Sequence, residues 1–193
     1  HVSGFSEERL KLKHPGTKAR VIQMLEKQIV TRDVLEEVPW IESDGEKYFA
    51  PDGEYQKIAV IERHKNTGKM GVGIIKGYGI RGGAIASSVS HDSHNIIVIG
   101  DNDEDMELAV KEMMRTQGGY TLVCNGEIYG TLPLPVMGLM SDAGYESVNE
   151  ALAKMIPKAH EMGVKEGFDP FITLSFMALP VIPEIRITPR GIY

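Results

Sequence analysis

The density of glycine between β-branched runs most limits what this chain can fold into. The segment MGVGIIKGYGIRGGAIASSV, residues 70–89, has too many glycines for a helix, because each one destabilises a helix interior by about 1 kcal/mol relative to alanine. Apolar runs that favour strands lie on both sides, KIAVIER at 57–63 and NIIVIG at 95–100. The centre of the chain therefore predicts a sheet whose strands approach one another closely.

Helical periodicity appears in two later segments. DNDEDMELAVKEMMRTQGG, residues 101–119, places its apolar side chains on one helical face, and Asp101 is its predicted N-cap. A second helix is predicted over residues 145–162, and Pro157 is expected to kink or divide it because proline removes a backbone donor.

The fold class follows from combining these elements with their turn signals. Asn125-Gly126 predicts a hairpin. The short β-branched runs before residue 50 favour a small β layer, although a helix through VIQMLEKQIV fits the periodicity of so short a run equally well. The sequence predicts an α+β fold, a mixed and largely antiparallel sheet with helices on one face and a small β layer from the N-terminal segment. EIRIT in the apolar tail alternates like an edge strand.

Composition excludes several classes of protein. The chain has 193 residues, of which 42% are hydrophobic, so it can bury a core. A net charge of −6 argues against nucleic acid, because phosphate binding needs clustered Lys and Arg. No apolar run approaches the roughly 20 residues that span a bilayer, so no membrane partner is expected. One cysteine, Cys124, and no signal-peptide pattern favour a cytoplasmic setting.

The segment SSVSHDSHNIIVIG, residues 87–100, holds the main candidate site. His91 and His94 would point to opposite faces of a strand, so they can act together only if the segment turns. Its Ser, Asp and Asn residues favour such a turn. A complete metal site needs further ligands, and none has the right spacing nearby, so no metal site is predicted in this chain. Two interpretations stay open: a structural turn capped by Asp92, and a proton-handling or substrate-side site formed by His91, Asp92 and His94.

A weaker candidate lies in IERHKNTGKMG. On a continued strand, Glu62 and His64 would share one face and Arg63 would take the other. Glu62 and His64 are therefore substrate-side candidates, with a solvated strand end as the alternative.

Several long blocks carry a family resemblance, among them GAIASSVSHDSHNIIVIGDNDEDMELAV, LPLPVMGLMSD and FDPFITLSFMALPVIPEIRIT. The chain resembles the C-terminal region of bacterial adenine deaminase, in the amidohydrolase superfamily. The resemblance implies hydrolysis of adenine to hypoxanthine and ammonia at a manganese or iron centre on a (β/α)₈ barrel. This sequence contains no His-X-His of the kind such barrels carry, so none of the family's metal ligands is assigned to a residue here.

The implied division of the chain is a β-sandwich remnant at 1–50, the C-terminal α/β domain at 51–170, and an apolar tail at 171–193 that returns to the sheet.

Two functional hypotheses follow. Either the chain is the accessory part of a deaminase, with SHDSHN bordering the active site or a subunit partner, or it is a non-catalytic binding or oligomerisation module. The opening HVSGFSEERLKLK lacks an initiator methionine, so we expect a piece of a longer protein. We expect the piece alone to be inactive and, because of its apolar tail, to associate into a homo-oligomer.

Overall fold

Strands form where the β-branched and glycine-rich runs lie. The computed structural model describes residues 2–14, 16 and 18–193. The first strands in chain order are β1 (Ala19–Met24), β2 (Thr31–Glu36), β3 (Trp40–Ser43), β4 (Glu46–Phe49), β5 (Tyr55–Ile61), β6 (Met70–Lys76), β7 (Gly83–Ser87) and β8 (Ile96–Gly100). They are followed by α1 (Asp103–Thr116), β9 (Gly119–Cys124), β10 (Glu127–Pro133), α2 (Tyr145–Glu161), α3 (Ile172–Met177), β11 (Ile187–Thr188) and β12 (Gly191–Ile192).

One large sheet organises the domain. Its strand order is β10-β9-β7-β8-β5-β6-β1-β2, and every neighbouring pair is antiparallel except β1 with β6. The predicted α+β class with a mixed, largely antiparallel sheet is confirmed, and so is the hairpin at Asn125-Gly126, which joins β9 to β10.

The N-terminal strands are distributed differently from the predicted separate layer. β1 and β2 extend the large sheet, and only the β3–β4 hairpin forms a small sheet of its own. Val21 and Ile22 on β1 point to opposite faces and are both fully buried. A strand with two buried faces is stable only inside a sheet covered on both sides, so β1 takes an internal position and the helical alternative for this run is wrong.

The helices cover both faces of the sheet, and the prediction that they lie on one face is wrong. α1 packs on one face over Ala59, Ile61 and Val98, while α2 and α3 belong to the core on the other face with Ile58 and Val60. The reason is that β5 and β8 are apolar on both faces, so each face requires a cover. Among the described residues, no helix combines the length and apolar character needed to cross a bilayer.

The helix ends refine the sequence prediction. Asn102, rather than Asp101, is the N-cap of α1, and its side chain accepts the Asp105 N–H at 2.7 Å. Asp101 instead accepts the backbone N–H groups at the start of β7, Gly82 at 2.6 Å and Gly83 at 3.0 Å. α2 continues through Pro157 as one helix, so the predicted division there is wrong, while the kink stays a prediction.

The C-terminal tail folds back over β5 and β6. It begins with α3, which the sequence did not predict, and β11 pairs with β12 rather than joining the edge of the large sheet. Arg186 in the tail is buried and donates to the hydroxyl of Thr31 and to the carbonyls of Ile29 at 2.6 Å and Ile185 at 2.7 Å. These bonds tie the tail to the start of β2. The predicted division of the chain into residues 1–50, 51–170 and 171–193 stays a prediction.

Candidate functional site

Three loops meet at one end of the large sheet. They are residues 62–69 after β5, residues 88–95 between β7 and β8, and residues 134–144 after β10. The antiparallel pairing places them there, because β5 ends opposite the start of β8 at Ile61 and Ile96, and β10 ends opposite the start of β9. The candidate residues of the first two loops are therefore neighbours in space, although they are about thirty positions apart in sequence.

Residues 90–94, here called the HDSH turn, form a tight turn directly before β8. The His94 N–H donates to the Ser90 carbonyl at 2.6 Å, and His94 adopts the left-handed region with φ +48°. The His91 N–H donates to the carbonyl of Ser175 on α3 at 2.8 Å. The prediction of one turn preceding a buried strand is confirmed.

The turn brings the two imidazoles together. The His91 and His94 ring centroids are 5.6 Å apart in an edge-to-face arrangement. The centroid of the His91 ring also lies 5.3 Å from that of the Phe176 ring. Asp92 is exposed, and within the described part of the chain no group donates a hydrogen bond to its carboxylate. The expectation that Asp92 caps the turn is wrong, because the backbone bond between His94 and Ser90 closes the turn instead.

The surroundings of His94 favour its neutral form. Burial lowers the pKa of the His94 imidazole, and the neighbouring His91 and Arg63 side chains lower it further, whereas Asp92 acts in the opposite direction. The hydroxyl of Ser90 beside it is buried and has no hydrogen-bond partner among the described residues. A neutral imidazole can act as a proton acceptor, which is a chemical capacity of His94 in this turn.

Arg63 connects all three loops by hydrogen bonds, a role that the sequence did not predict. Its Nε donates to the His94 carbonyl at 2.5 Å, its backbone N–H to Asn95 Oδ1 at 3.3 Å, and its Nη2 to the Met137 carbonyl at 2.8 Å. The predicted position of Arg63 on the opposite strand face from Glu62 and His64 is wrong. β5 ends at Ile61, so Arg63 lies in a loop, where the alternation of a strand does not apply.

The two weaker candidates have different surroundings. His64 is exposed, and its Nε2 lies 2.6 Å from the Ser93 carbonyl oxygen, at the edge of the HDSH turn. The Glu62 carboxylate accepts the backbone N–H groups of His64 at 2.5 Å, Lys65 at 2.7 Å and Thr67 at 3.0 Å. Glu62 therefore caps its own loop, and the two side chains do not share a strand face as predicted. Their substrate-side roles stay predictions.

Comparison with known proteins identifies the family of this fold and site. The family described as the adenine deaminase C-terminal domain matches residues 28–193. The chain belongs to this family. Over the whole chain, the domain is 51% identical to an adenine deaminase of Desulfitobacterium hafniense and 46% identical to one of Nitratidesulfovibrio vulgaris, and it covers 33% of each. Over 90% of the chain it is 46% identical to the adenine deaminase of Bacillus subtilis, of which it covers 30%. The chain thus spans about a third of the length of these relatives.

Metal ligands were expected to lie outside this chain. Among its described residues, no three His, Cys, Asp or Glu side chains lie close enough together to hold a metal ion. His91 and His94 are two neighbouring nitrogen donors with no third ligand among the described residues, so these residues do not fit the manganese or iron centre that the resemblance implies.

Two cavities adjoin residues that contact the HDSH turn of the domain. On the side of Arg63 and His64 is a groove of about 560 Å³, and on the side of Phe176 is a smaller cavity of about 180 Å³. Neither is lined by His91, Asp92 or His94.

The domain also yields a prediction about pH, which concerns Glu62. Burial alone would raise the pKa of the Glu62 carboxyl, but the hydrogen bonds from Thr67, Lys65 and His64 outweigh burial and lower the pKa to about 2. The folded pKa lies below the unfolded value of about 4.3, so the ionised carboxylate stabilises the fold above that pH and this stabilisation is lost as the pH falls towards 2. Glu62→Gln should melt below wild type at pH 7, and the difference should shrink between pH 4.5 and pH 3. A constant difference in melting temperature across that range would contradict the assignment.

Proposed function

We propose that the chain is the C-terminal domain of an adenine deaminase, a hydrolase that converts adenine and water to hypoxanthine and ammonia, and that its HDSH turn faces the substrate. The observation that carries the proposal is the position of the two imidazoles. They lie together in a half-buried turn, in a domain whose relatives are named adenine deaminase.

The chemistry suits a neutral imidazole. Water adds at C6 of the purine, the C6–N bond to the amino group breaks, and the amino group leaves as ammonia after gaining a proton. A base must take a proton from the attacking water, and an acid must deliver one to the leaving nitrogen. His94, with its lowered pKa, can accept a proton, and His91 beside it can relay one. We assign the manganese or iron ion to the part of the enzyme outside this chain.

A direct test compares two proteins for deamination. A full-length protein that contains this domain should release equal amounts of hypoxanthine and ammonia from adenine. The 193-residue chain with added Mn²⁺ should release no ammonia above a metal-only blank, because its described residues offer no complete metal-ligand set. Metal-dependent turnover by the 193-residue chain would overturn the assignment of the catalytic centre to the rest of the enzyme.

The alternative is a non-catalytic binding or oligomerisation module. Several large apolar side chains favour it because they are exposed, among them Leu35 at 64% and Val181 at 82%. A full-length protein that is inert towards adenine but forms a stable oligomer would support this alternative. The cytoplasmic location and a role in purine salvage belong to the enzymatic proposal.

A further inference from the structure

The loop after β10 has a fixed shape. The Val136 N–H donates to the Met140 carbonyl at 3.1 Å, and the Met140 N–H returns a bond to the Val136 carbonyl at 3.2 Å. Two side chains from the other loops anchor it, because Ser88 Oγ donates to the Gly138 carbonyl at 2.6 Å and Arg63 Nη2 to the Met137 carbonyl at 2.8 Å. Hydrogen bonds within the loop and from the two neighbouring loops therefore fix its backbone.

The same loop directs apolar side chains into solvent. Met137 is 76% exposed, Met140 56% and Val136 41%. The groove of about 560 Å³ adjoins this loop, and its lining includes both apolar residues such as Met114 and polar ones such as Gln117. A loop held in place while it exposes methionines is typical of a contact surface, since methionine adapts its shape to an apolar partner.

The loop and the HDSH turn form one continuous surface. Arg63 donates to the Met137 carbonyl and to the His94 carbonyl at the same time, so the loop and the HDSH turn lie side by side. The relatives are about three times as long as this chain, so about two thirds of their length must find a position against such a domain. A second copy of the domain would also cover the methionines, but it would bring no metal centre to the turn, because the described residues contain none.

We propose that the loop Val136–Met140 and its groove are the surface on which the remaining two thirds of the longer polypeptide docks. Docking closes the HDSH turn into an enclosed pocket, and this second statement rests on the proposed function. The occupant is the same polypeptide, and the contact combines the exposed apolar side chains of the loop with polar groups of the groove, among them Arg63 and His64.

Site-specific photocrosslinking of the full-length protein tests the proposal. A benzophenone amino acid replaces Met137, and a second protein carries it at Ile128, an apolar residue of the same strand-loop segment that is 41% exposed and lies at the opposite end of β10. ¹⁵N-labelled and unlabelled proteins are mixed before irradiation, so that a crosslink within one polypeptide is distinguished by mass from one between two copies.

The expected result is a crosslink from position 137 to a peptide outside residues 1–193 of the same polypeptide, at least fivefold more abundant than any such crosslink from position 128. Crosslinks between two copies, crosslinks confined to residues 1–193, or none at position 137 would each overturn the docking proposal.

The crosslinking measurement needs no substrate. A protein that crosslinks as expected but does not deaminate adenine would reject the proposed function alone, and an active deaminase without the crosslink would reject the docking alone.

Discussion

Replacing Gly71 with alanine is expected to lower the free energy of unfolding by about 1–3 kcal/mol, as overpacking of a close contact does. A Cβ at Gly71 would lie 2.1 Å from the backbone oxygen of Thr188 and 2.8 Å from the backbone nitrogen of Gly191. Both atoms belong to the β11–β12 hairpin, which lies against β6. The backbone of the hairpin cannot yield as a flexible side chain could, so the tail must move away from the sheet.

Gly73 provides the matched control two residues along the same strand. Its added Cβ would meet only the ends of the Ile192 and Ile187 side chains, at 3.1 Å and 3.3 Å, and these can rotate away. Urea unfolding should show a clear loss for Gly71→Ala and a change of less than about 1 kcal/mol for Gly73→Ala. For a protein of this size each kcal/mol corresponds to roughly 2–4 °C in Tm. Equal stabilities of the two variants would contradict the observed position of the tail.

Local signals made much of this fold predictable. Glycine density and β-branched runs identified the central strands, the 3.6-residue period identified α1, and Asn125-Gly126 identified the β9–β10 hairpin. The HDSH turn was predictable for the same reason, because Ser90 and Ser93 are residues that favour turns and the apolar run after them demands burial.

What the sequence left undetermined depends on pairing between distant strands. The contact between Arg63 and His94 exists because β5 ends at Ile61 and because Ile61 pairs with Ile96 on β8. Neither the end of β5 nor this register can be read from the residues around Arg63. The placement of helices on both faces likewise follows from which strands become internal, a property of the whole sheet rather than of any one segment.

The second large effect follows from the proposed function and is expected at His94 in the full-length protein. His94→Asn should lower kcat/KM for adenine deamination by about 100-fold or more, the usual contribution of a positioned acid or base. Asparagine is the suitable replacement, because it tolerates the left-handed backbone at φ +48° and keeps a polar side chain. The Tm and the bound metal should stay close to those of wild type.

Ser93→Ala is the control for a merely structural role of the turn. Ser93 Oγ accepts a hydrogen bond from Asn95 Nδ2 at 3.0 Å, so its removal weakens the turn without removing an imidazole. This variant should melt at a lower temperature than wild type, while kcat/KM per folded molecule stays within about threefold of wild type.

The ratio of kcat/KM between full-length wild type and His94→Asn, measured on samples with equal metal content and equal folded fraction, tests most directly whether the HDSH turn acts on the substrate. Our proposal predicts a ratio of about 100 or more. A ratio within threefold of one, accompanied by a lowered Tm, would contradict it and would assign the two histidines to the structure of the turn.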